Sequence, residues 1–342
     1  MQNFKWDVII VVVIVIWIAF FLDLGLESWS GQDFDETYYS SGNFFDRLQV
    51  VKWTVFEWPS KNLYTQYNKF LESTDEYLKL QTYEFTNKTL KSGLKGLSKK
   101  LIPVQIILEN NKYQQYQDSF HELQDYFSGY NSVQLRNDEQ MGTQYVHSKF
   151  MLNENAFWIQ TANLTKSSFE SNREYFFYSE DEKVRDSLET LFDADWVGDD
   201  LSILNLHPNL VVCPLNCRDV IKTLLENAES SIVIQTQYIV DDEILDILRR
   251  KSEKVDLAMI VANSDDNQDL ISYFWPWKAR MLQSIYNHTK MILIDKKYLL
   301  LGSINLSSNS LDNNREVWII LLDTGNITTF LSGFTKDWES AL

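Results

Sequence analysis

Two short motifs each place a lysine two residues after a histidine, one motif in each half of the chain. They are His147-Ser-Lys149 and His288-Thr-Lys290. Each motif opens an apolar stretch typical of a β-strand, and residues two apart on a strand point to the same face. An imidazole can attack phosphorus or move a proton, and an ammonium group can hold a phosphate oxygen. The two motifs therefore predict a site for phosphodiester chemistry.

The residues that follow each motif repeat in type and spacing. Each histidine is followed by an asparagine, a serine and a glutamate, which are Asn163, Ser168 and Glu174 in the first half and Asn305, Ser310 and Glu316 in the second. The asparagine-to-serine interval is five residues and the serine-to-glutamate interval is six in both halves. One His-x-Lys arises often by chance, whereas two with the same downstream residues indicate a duplicated half-site.

The residues ahead of the motifs repeat as well. Pro59 and Pro214 each precede a helical pattern, and Gln81-Thr82 and Gln235-Thr236 each end an apolar strand, 154 residues apart. Strands and helices alternate in both halves. We predict an α/β fold of two similar lobes, each a mixed, mostly parallel sheet flanked by helices, preceded by one N-terminal transmembrane helix.

Two lobes that pair about a pseudo-twofold axis bring both motifs to one pocket. One imidazole then attacks phosphorus to form a phospho-histidine, and the other protonates the leaving alkoxide and later activates water or an acceptor alcohol. The lysines and asparagines are predicted to hold the phosphate oxygens, and the glutamates to fix the histidine tautomers. The catalytic candidates are His147, Lys149, Asn163, Glu174, His288, Lys290, Asn305 and Glu316.

A second group of residues is predicted to support these candidates. Glu154 and Asp295 each follow their lysine by five residues, and Ser303 precedes the second asparagine by two. Ser168 and Ser310 are the repeated serines. For the two acids, the alternative is a turn residue at a strand end, and for the repeated serines it is a cap or a turn.

The second motif, with Asp295 and the segment Gly302-Ser-Ile-Asn305, resembles the His-x-Lys-x4-Asp signature and the Gly-Ser-x-Asn segment of the phospholipase D superfamily. The resemblance covers nearly all of the chain after residue 45. It implies two α/β lobes joined in one metal-independent active site, with His147 as nucleophile and His288 as general acid/base. The first half departs from the pattern, with Glu154 in place of Asp and Gln160-Thr161 in place of Gly-Ser.

Charge and composition narrow the classes of ligand. The 342 residues include 31 basic and 48 acidic side chains, a formal charge of −17. This charge disfavours nucleic acid, because binding to its backbone depends on Lys and Arg. The four histidines and two cysteines form no pattern typical of a metal site, so we expect neither a metal nor a cofactor. Cys213 and Cys217 are predicted to be unpaired thiols, with a disulfide as the alternative.

The N-terminus is predicted to anchor the chain in a membrane. Val8 to Leu22 is an unbroken apolar run of fifteen residues, with Lys5 before it and acidic residues after it. A span needs about 17–25 mostly apolar residues, and the cationic side stays in the cytoplasm, which places the lobes outside it. The alternative is a cleaved signal peptide and a secreted protein. We assign 1–26 to the anchor, 27–44 to a linker, 45–200 to lobe 1 and 201–342 to lobe 2.

From these features we predict a phospholipase D-type phosphodiesterase that cleaves or transfers phospholipid head groups through a phospho-histidine. The alternatives are a cardiolipin synthase-like phosphatidyltransferase, an endonuclease of the same superfamily, and an inactive membrane protein that binds phosphate. The anchor, the acidic surface and an aromatic content of 14% favour a phospholipid substrate over nucleic acid. We expect a monomer.

Overall fold

A computed structural model describes residues 41–59, 62–110, 119–322 and 324–342. The predicted anchor at 1–26 and most of the predicted linker at 27–44 lie outside these ranges. Within the described residues, no helix combines the length and the apolar character needed to cross a bilayer. Helix α1 (Ser41–Arg47) covers residues that we assigned to the linker. The sequence did not predict this helix, because it begins with Ser and Gly, which are typical of turns.

From Arg47 onward the chain forms one compact unit. The strands of its first half are β1 (Thr54–Trp58), β2 (Leu78–Thr82), β3 (Val104–Leu108), β4 (Val133–Arg136), β5 (Phe150–Asn153), β6 (Phe157–Gln160) and β7 (Asn172–Ser179). The helices of this half are α2 (Leu63–Glu72), α3 (Lys88–Lys99), α4 (Ser119–Phe127), α5 (Lys166–Glu170) and α6 (Glu182–Val197).

The second half contains elements of the same kinds in the same order, with the short strand β12 in addition. Its strands are β8 (Leu210–Cys213), β9 (Ser231–Thr236), β10 (Asp256–Ala262), β11 (Ala279–Leu282), β12 (Tyr286–Asn287), β13 (Lys290–Ile294), β14 (Tyr298–Gly302) and β15 (Glu316–Leu321). Its helices are α7 (Cys217–Glu226), α8 (Asp242–Lys251), α9 (Gln268–Phe274), α10 (Ser308–Asp312) and α11 (Thr324–Ser340). Short 3₁₀ turns lie at Leu201–Ile203 and Asp265–Asn267.

The helix that follows β2 and the helix that follows β9 begin at side chains that cap them. The Asn87 side chain accepts hydrogen bonds from the backbone N–H of Thr89 (3.0 Å) and of Leu90 at the start of α3. The Asp241 carboxylate accepts one from the N–H of Ile244 (3.0 Å) at the start of α8. Each cap satisfies backbone donors that have no partner inside the helix. The polypeptide therefore leaves the strand and begins the helix at a defined residue in both halves.

The two sheets have the same strand order. The first sheet is ordered β1-β7-β6-β5-β2-β3-β4, and the second is ordered β8-β15-β14-β13-β9-β10-β11. Corresponding pairs also run in the same direction, because β2–β3–β4 and β9–β10–β11 are parallel and the other pairs on these paths are antiparallel. Two similar α/β lobes with mixed sheets, as predicted from the sequence, are confirmed.

The prediction that each sheet would be mostly parallel was wrong. Along the two seven-strand paths, only the strands joined by long crossovers are parallel. Strands β5, β6 and β7 form an antiparallel meander, as do β13, β14 and β15. Three residues join β5 to β6. A link this short forces antiparallel pairing, because a parallel connection needs about a dozen residues.

The strands after the two motifs are buried on both faces, which explains their continuous apolar sequence. Every residue of β5, β6, β13, β14 and β15 is buried. Phe150 and Phe177 of the first sheet belong to the same apolar cluster as Leu293 and Val317 of the second. Burial of one such side chain stabilises the fold by roughly 1.5–3 kcal/mol. This shared core fixes the position of one motif relative to the other.

Backbone pairing between the halves fixes the motifs further. Strand β12 pairs in parallel with the start of β7, and the N–H of His288 donates to the carbonyl of Arg173 (3.1 Å). In the mirrored arrangement, the N–H of His147 donates to the carbonyl of Arg315 (2.9 Å), and the N–H of Arg315 donates to the carbonyl of Tyr145 (2.8 Å). Each His-x-Lys motif therefore lies beside the Asn-Arg-Glu segment of the opposite half.

The two cysteines form a disulfide, so the prediction of unpaired thiols was wrong. Cys213 is the last residue of β8 and Cys217 is the first residue of α7. The turn between them brings their Cα atoms to 5.1 Å, which lies within the range that a disulfide requires. The sequence interval alone did not show that the strand-to-helix turn is this tight.

Candidate active site

A cavity of about 360 Å³ is lined by residues of both halves. His147 and Asn163 line it from the first half, and His288 and Asn305 line it from the second. The Oδ1 atoms of both asparagines are buried and have no hydrogen-bond partner among the described residues. A buried polar atom without a partner is costly unless a ligand or water satisfies it. The structure thus brings both histidines and both asparagines together, and each carboxamide keeps an acceptor that a ligand or water can satisfy.

Each histidine is held by the glutamate of the opposite half. The Nδ1 atom of His147 lies 2.8 Å and 2.9 Å from the two carboxylate oxygens of Glu316. The Nδ1 atom of His288 lies 2.7 Å from Oε1 of Glu174. Both carboxylates are fully buried. A carboxylate on Nδ1 fixes the tautomer and leaves Nε2 as the nitrogen for chemistry. Sequence reasoning named both glutamates but did not assign either one to a histidine.

The two glutamates are held in turn by hydroxyl and amide groups. The hydroxyl of Thr161 donates to Oε2 of Glu174 (2.5 Å), and the amide of Asn172 donates to Oε1 (3.2 Å). At the equivalent place the hydroxyl of Ser303 interacts with Glu316. Thr161 therefore keeps the hydroxyl that the first half seemed to lose with its Gln-Thr sequence. Sequence reasoning missed Thr161 as a site residue, although Thr161 and Ser303 each precede their asparagine by two residues.

The lysines lie behind the imidazoles and do not line the cavity. The Nζ of Lys149 donates to the backbone carbonyl of His147 (2.6 Å). The Nζ of Lys290 donates to the carbonyl of His288 (2.8 Å) and to the side chain of Gln237 (3.1 Å). Direct contact between the ammonium groups and the phosphate therefore stays a prediction. At these positions they act on the cavity through their charge.

Burial weakens the charge of both lysines. It lowers the pKa of Lys149 to about 8, although the neighbouring carboxylates of Glu316 and Glu174 favour its protonated form. Burial lowers the pKa of Lys290 to about 7, against the attraction of Glu174 and with the added repulsion of Lys149. The low dielectric of the interior disfavours an ammonium charge, which explains the direction of both shifts. Both lysines therefore titrate close to neutral pH.

Burial also keeps the imidazoles neutral. It lowers the pKa of His147 to about 4, even though Glu316 favours the protonated ring. Burial lowers the pKa of His288 as well, against the attraction of Glu174. The pKa of Glu316 is raised by burial, but the stronger combined effect of His147 and its other partners lowers it overall. At neutral pH each ring is thus an uncharged group with a lone pair on Nε2, which suits a nucleophile or a base.

The strand-end acids do not support the imidazoles. Glu154 accepts a hydrogen bond from the N–H of Asp75 (2.8 Å), and Asp295 accepts from the N–H of Ser230 (2.7 Å) and of Ser231 (2.9 Å). These turns precede β2 and β9. Five residues of strand separate each acid from its lysine by about 16 Å. Glu154 and Asp295 are therefore turn residues, which was the alternative prediction.

The repeated serines lie in short helices next to the cavity. The backbone N–H of Ser168 donates to the hydroxyl of Thr165 (3.1 Å), and the N–H of Ser310 donates to the hydroxyl of Ser307 (3.3 Å). These bonds cap α5 and α10. Ser310 lines the cavity and Ser168 does not. The serines thus share a structural place at the helix start, and only the second one reaches the site.

A buried arginine anchors the backbone of each motif, which sequence reasoning missed. The carbonyl of Arg315 accepts the N–H of His147, and the Nε of Arg315 donates to both oxygens of Asp195 (3.1 Å each). The amide of Gln81 donates to the same carboxylate (3.0 Å). The guanidinium therefore fixes the strand that holds His147. Three elements that are distant in sequence meet here, and all three side chains are buried.

The same arrangement holds the other histidine. The carbonyl of Arg173 accepts the N–H of His288, and the Nε of Arg173 donates to Oδ2 of Asp337 (2.6 Å). The amide of Gln235 donates to that oxygen as well (2.7 Å). The repeated Gln-Thr and Asn-Arg-Glu sequences contain the glutamine and the arginine of each cluster, so the sequence could have indicated these two residues. The aspartates lie in a repeat as well, since each belongs to a Phe-x-x-Asp-Trp sequence and follows its glutamate by 21 residues, a signal that sequence reasoning overlooked.

The donor atoms at the cavity suit an anion that has oxygen atoms. Within the described ranges, no group of three or more His, Cys, Asp or Glu side chains could hold a metal ion. The groups on the wall include two imidazoles and two carboxamides, with two ammonium charges behind them. This set can bind a tetrahedral oxyanion, attack it and move a proton to or from it.

A family described as "Cardiolipin synthase, PLD-like domain" matches residues 67–196 and 221–338. A mitochondrial cardiolipin hydrolase from Mus musculus is 41% identical over 54 residues, which are 16% of this chain and 24% of that protein. A cardiolipin synthase from Halalkalibacterium halodurans is 27% identical over 128 residues, 34% of this chain and 25% of that protein. The alignments thus span about a quarter of the length of these relatives.

Solved structures share the fold at low sequence identity. The phosphatidylserine synthase of Haemophilus influenzae superposes with a TM-score of 0.69 at 11% identity, covering 86% of this chain and 88% of that one. The polyphosphate kinase of Porphyromonas gingivalis superposes with a TM-score of 0.65 at 15% identity, covering 84% of this chain and 50% of that one. At these identities the likeness establishes the fold alone.

The crossed pairing of histidines and glutamates can be tested by NMR. Glu316→Gln should shift the ring ¹⁵N resonances of His147 and leave those of His288 nearly unchanged, because the carboxylate contacts only the first ring. Glu174→Gln should do the reverse. The chain has four histidines, so His→Gln substitutions assign each signal. If each glutamate variant instead perturbed the histidine of its own half, the pairing described above would be incorrect.

Proposed function

Because the chain belongs to the phospholipase D-like family whose model matches both of its halves, we propose that it cleaves or transfers a phosphodiester through a phospho-histidine intermediate. The observation that supports this most directly is one cavity shared by two imidazoles, each oriented by a buried carboxylate of the opposite half. Two neutral nitrogen bases at one anion site suit a displacement at phosphorus in two steps.

In the first step, Nε2 of His147 attacks phosphorus. A P–N bond forms while the P–O bond to the leaving alcohol breaks, and a proton on Nε2 of His288 passes to the leaving oxygen. The bound phosphate anion favours the protonated form of His288, against the burial that lowers its pKa. The assignment of His147 as nucleophile follows the family resemblance.

In the second step, His288, now neutral, takes a proton from water or from an acceptor alcohol. The resulting oxygen nucleophile attacks phosphorus and the P–N bond breaks, so the free imidazole of His147 is restored. Glu316 and Glu174 stabilise the ring that gains positive charge in each step. The amides of Asn163 and Asn305, with the charges of the two lysines behind the rings, stabilise the phosphate oxygens.

We propose phospholipids as the substrate class. The matched relatives are a cardiolipin hydrolase and a cardiolipin synthase. Their names support a phospholipid substrate for this chain, and they include both hydrolysis and transfer. Both reactions share the first step and differ only in the acceptor. The charge of −17 argues against the nuclease alternative, and two complete histidine–glutamate pairs argue against an inactive binding protein. The membrane anchor and the extracytoplasmic location belong to this proposal and rest on the apolar run at Val8–Leu22.

The covalent step can be tested with bis(4-nitrophenyl) phosphate, because its leaving group departs without protonation. His288→Ala should release about one nitrophenolate per protein and then stop, since water is no longer deprotonated. The stalled protein should carry a 4-nitrophenyl phosphoryl group on His147, detected by mass spectrometry. His147→Ala should give no burst.

The matched control is His121→Ala, which removes an exposed histidine of α4 and should leave turnover at the wild-type rate. A burst from His147→Ala with none from His288→Ala would reverse the two roles. Steady turnover by both single variants would contradict the phospho-histidine route altogether.

The pH dependence of kcat/KM should have two limbs. Activity should fall as pH drops through about 4, because protonated His147 has no lone pair on Nε2. Activity should also fall as pH rises through about 7, because Lys290 loses its charge, and further through about 8, where Lys149 loses its own. The measurement is kcat/KM for bis(4-nitrophenyl) phosphate, which reports groups of the free enzyme. A profile that stays flat from weakly acidic to alkaline pH would contradict this account.

A further inference from the structure

The cavity departs from its internal symmetry at several positions, and at one of them an acidic residue replaces an uncharged one. Glu84 follows the Gln81-Thr82 pair by two residues, and Tyr238 follows Gln235-Thr236 by the same interval. Both side chains line the cavity. The histidines, asparagines and orienting glutamates are the same in both halves, so they cannot distinguish one end of a substrate from the other. A carboxylate opposed to a phenol can do so.

The backbone holds these two positions in equivalent places. Phe85 forms a parallel bridge with Leu164, and Ile239 forms the same bridge with Leu306. Leu164 directly follows Asn163, and its N–H donates to the carbonyl of Glu84 (3.0 Å). Glu84 therefore lies beside one of the two amides that face the bound anion, on the wall of the first lobe.

Glu84 is a third carboxylate near two lysines. Lys149 and Lys290 are opposed by the buried carboxylates of Glu174 and Glu316, and Glu84 adds a smaller attraction to Lys149. Glu84 is half-buried, and burial raises its pKa against the weaker attraction of Lys149. A phosphodiester would add a second negative charge to the same cavity. Two anions at close range in a poorly solvated site repel each other, unless the ligand also has a cation.

The rest of this wall is aromatic. Tyr83, Tyr145 and Tyr238 line the cavity with Glu84. The ring of Tyr83 lies 5.1 Å from that of His147 and 6.2 Å from that of Tyr145, measured between centroids. Aromatic rings attract organic cations through their quadrupole, most strongly where water is partly excluded. A carboxylate among tyrosines is thus a suitable environment for an alkylammonium group.

We propose that Glu84 binds the ammonium group of a zwitterionic head group, so the preferred substrate is a phosphodiester of an amino alcohol. This rests on the proposed phosphodiesterase function and narrows its substrate class. An anionic or uncharged polyol head group would leave the Glu84 charge unmatched. The position has no equivalent cation-binding group in the second lobe, since Tyr238 is uncharged there. Glu84 thus determines which end of the substrate lies against the first lobe.

The test is binding of two soluble phosphodiesters by calorimetry. The wild-type protein should bind glycerophosphoethanolamine roughly 10-fold or more tightly than glycerophosphoglycerol, as expected for one charged hydrogen bond. Glu84→Gln should abolish that preference, and Glu84→Lys should reverse it. The matched control is Glu72→Gln, an exposed residue at the end of α2, which should keep the wild-type preference.

Turnover of bis(4-nitrophenyl) phosphate, which has no cationic group, separates this inference from the proposed function. The wild-type protein should cleave it whatever the role of Glu84. Equal affinity of the wild-type protein for both glycerophosphodiesters, or an unchanged preference in Glu84→Gln, would overturn the role of Glu84. Absence of bis(4-nitrophenyl) phosphate turnover in the wild type, with the binding preference intact, would instead overturn the phosphodiesterase function.

Discussion

The site depends on two buried imidazole–carboxylate pairs, each formed between opposite halves of the chain. His147 is bound by Glu316 and His288 by Glu174, so neither half contains a complete pair. Each histidine backbone is held in addition by the carbonyl of an arginine from the other half. Because the two sheets share one apolar cluster, separating the lobes would break both pairs and expose that core. Folding of the core and assembly of the site are therefore one event.

Burial has two opposite effects on the proposed reaction. A low-dielectric environment keeps both rings neutral, which provides the lone pairs needed for attack and proton transfer. The same burial weakens the lysine charges that must offset a bound phosphate. The carboxylates reconcile these demands, since they raise the pKa of both the rings and the lysines. Glu84 adds a third carboxylate beside the two lysines, which is the physical basis for expecting a cation in the ligand.

The sequence predicted the duplication, the two lobes and the residues that meet in the cavity, because repeated spacing records a repeated fold. It did not predict which glutamate serves which histidine, since identical intervals in both halves fit a direct and a crossed pairing equally well. The sequence also did not predict the hydrogen bond from Lys149 to a backbone carbonyl. A strand pattern predicts on which face a side chain lies, but not which group its ammonium binds. Asp195 and Asp337 were missed although Phe-x-x-Asp-Trp repeats in both halves. The repeat does not show which side chains, more than a hundred residues away, each aspartate contacts.

The central claim is that both imidazoles act on one phosphorus atom. The most direct test is a crystal structure of the protein with orthovanadate, which adopts the five-coordinate geometry of the displacement. We predict a single vanadium bonded to Nε2 of His147, with its opposite apical oxygen within hydrogen-bond distance of Nε2 of His288. Vanadate bound away from both rings, or a separate ion on each ring, would contradict the account.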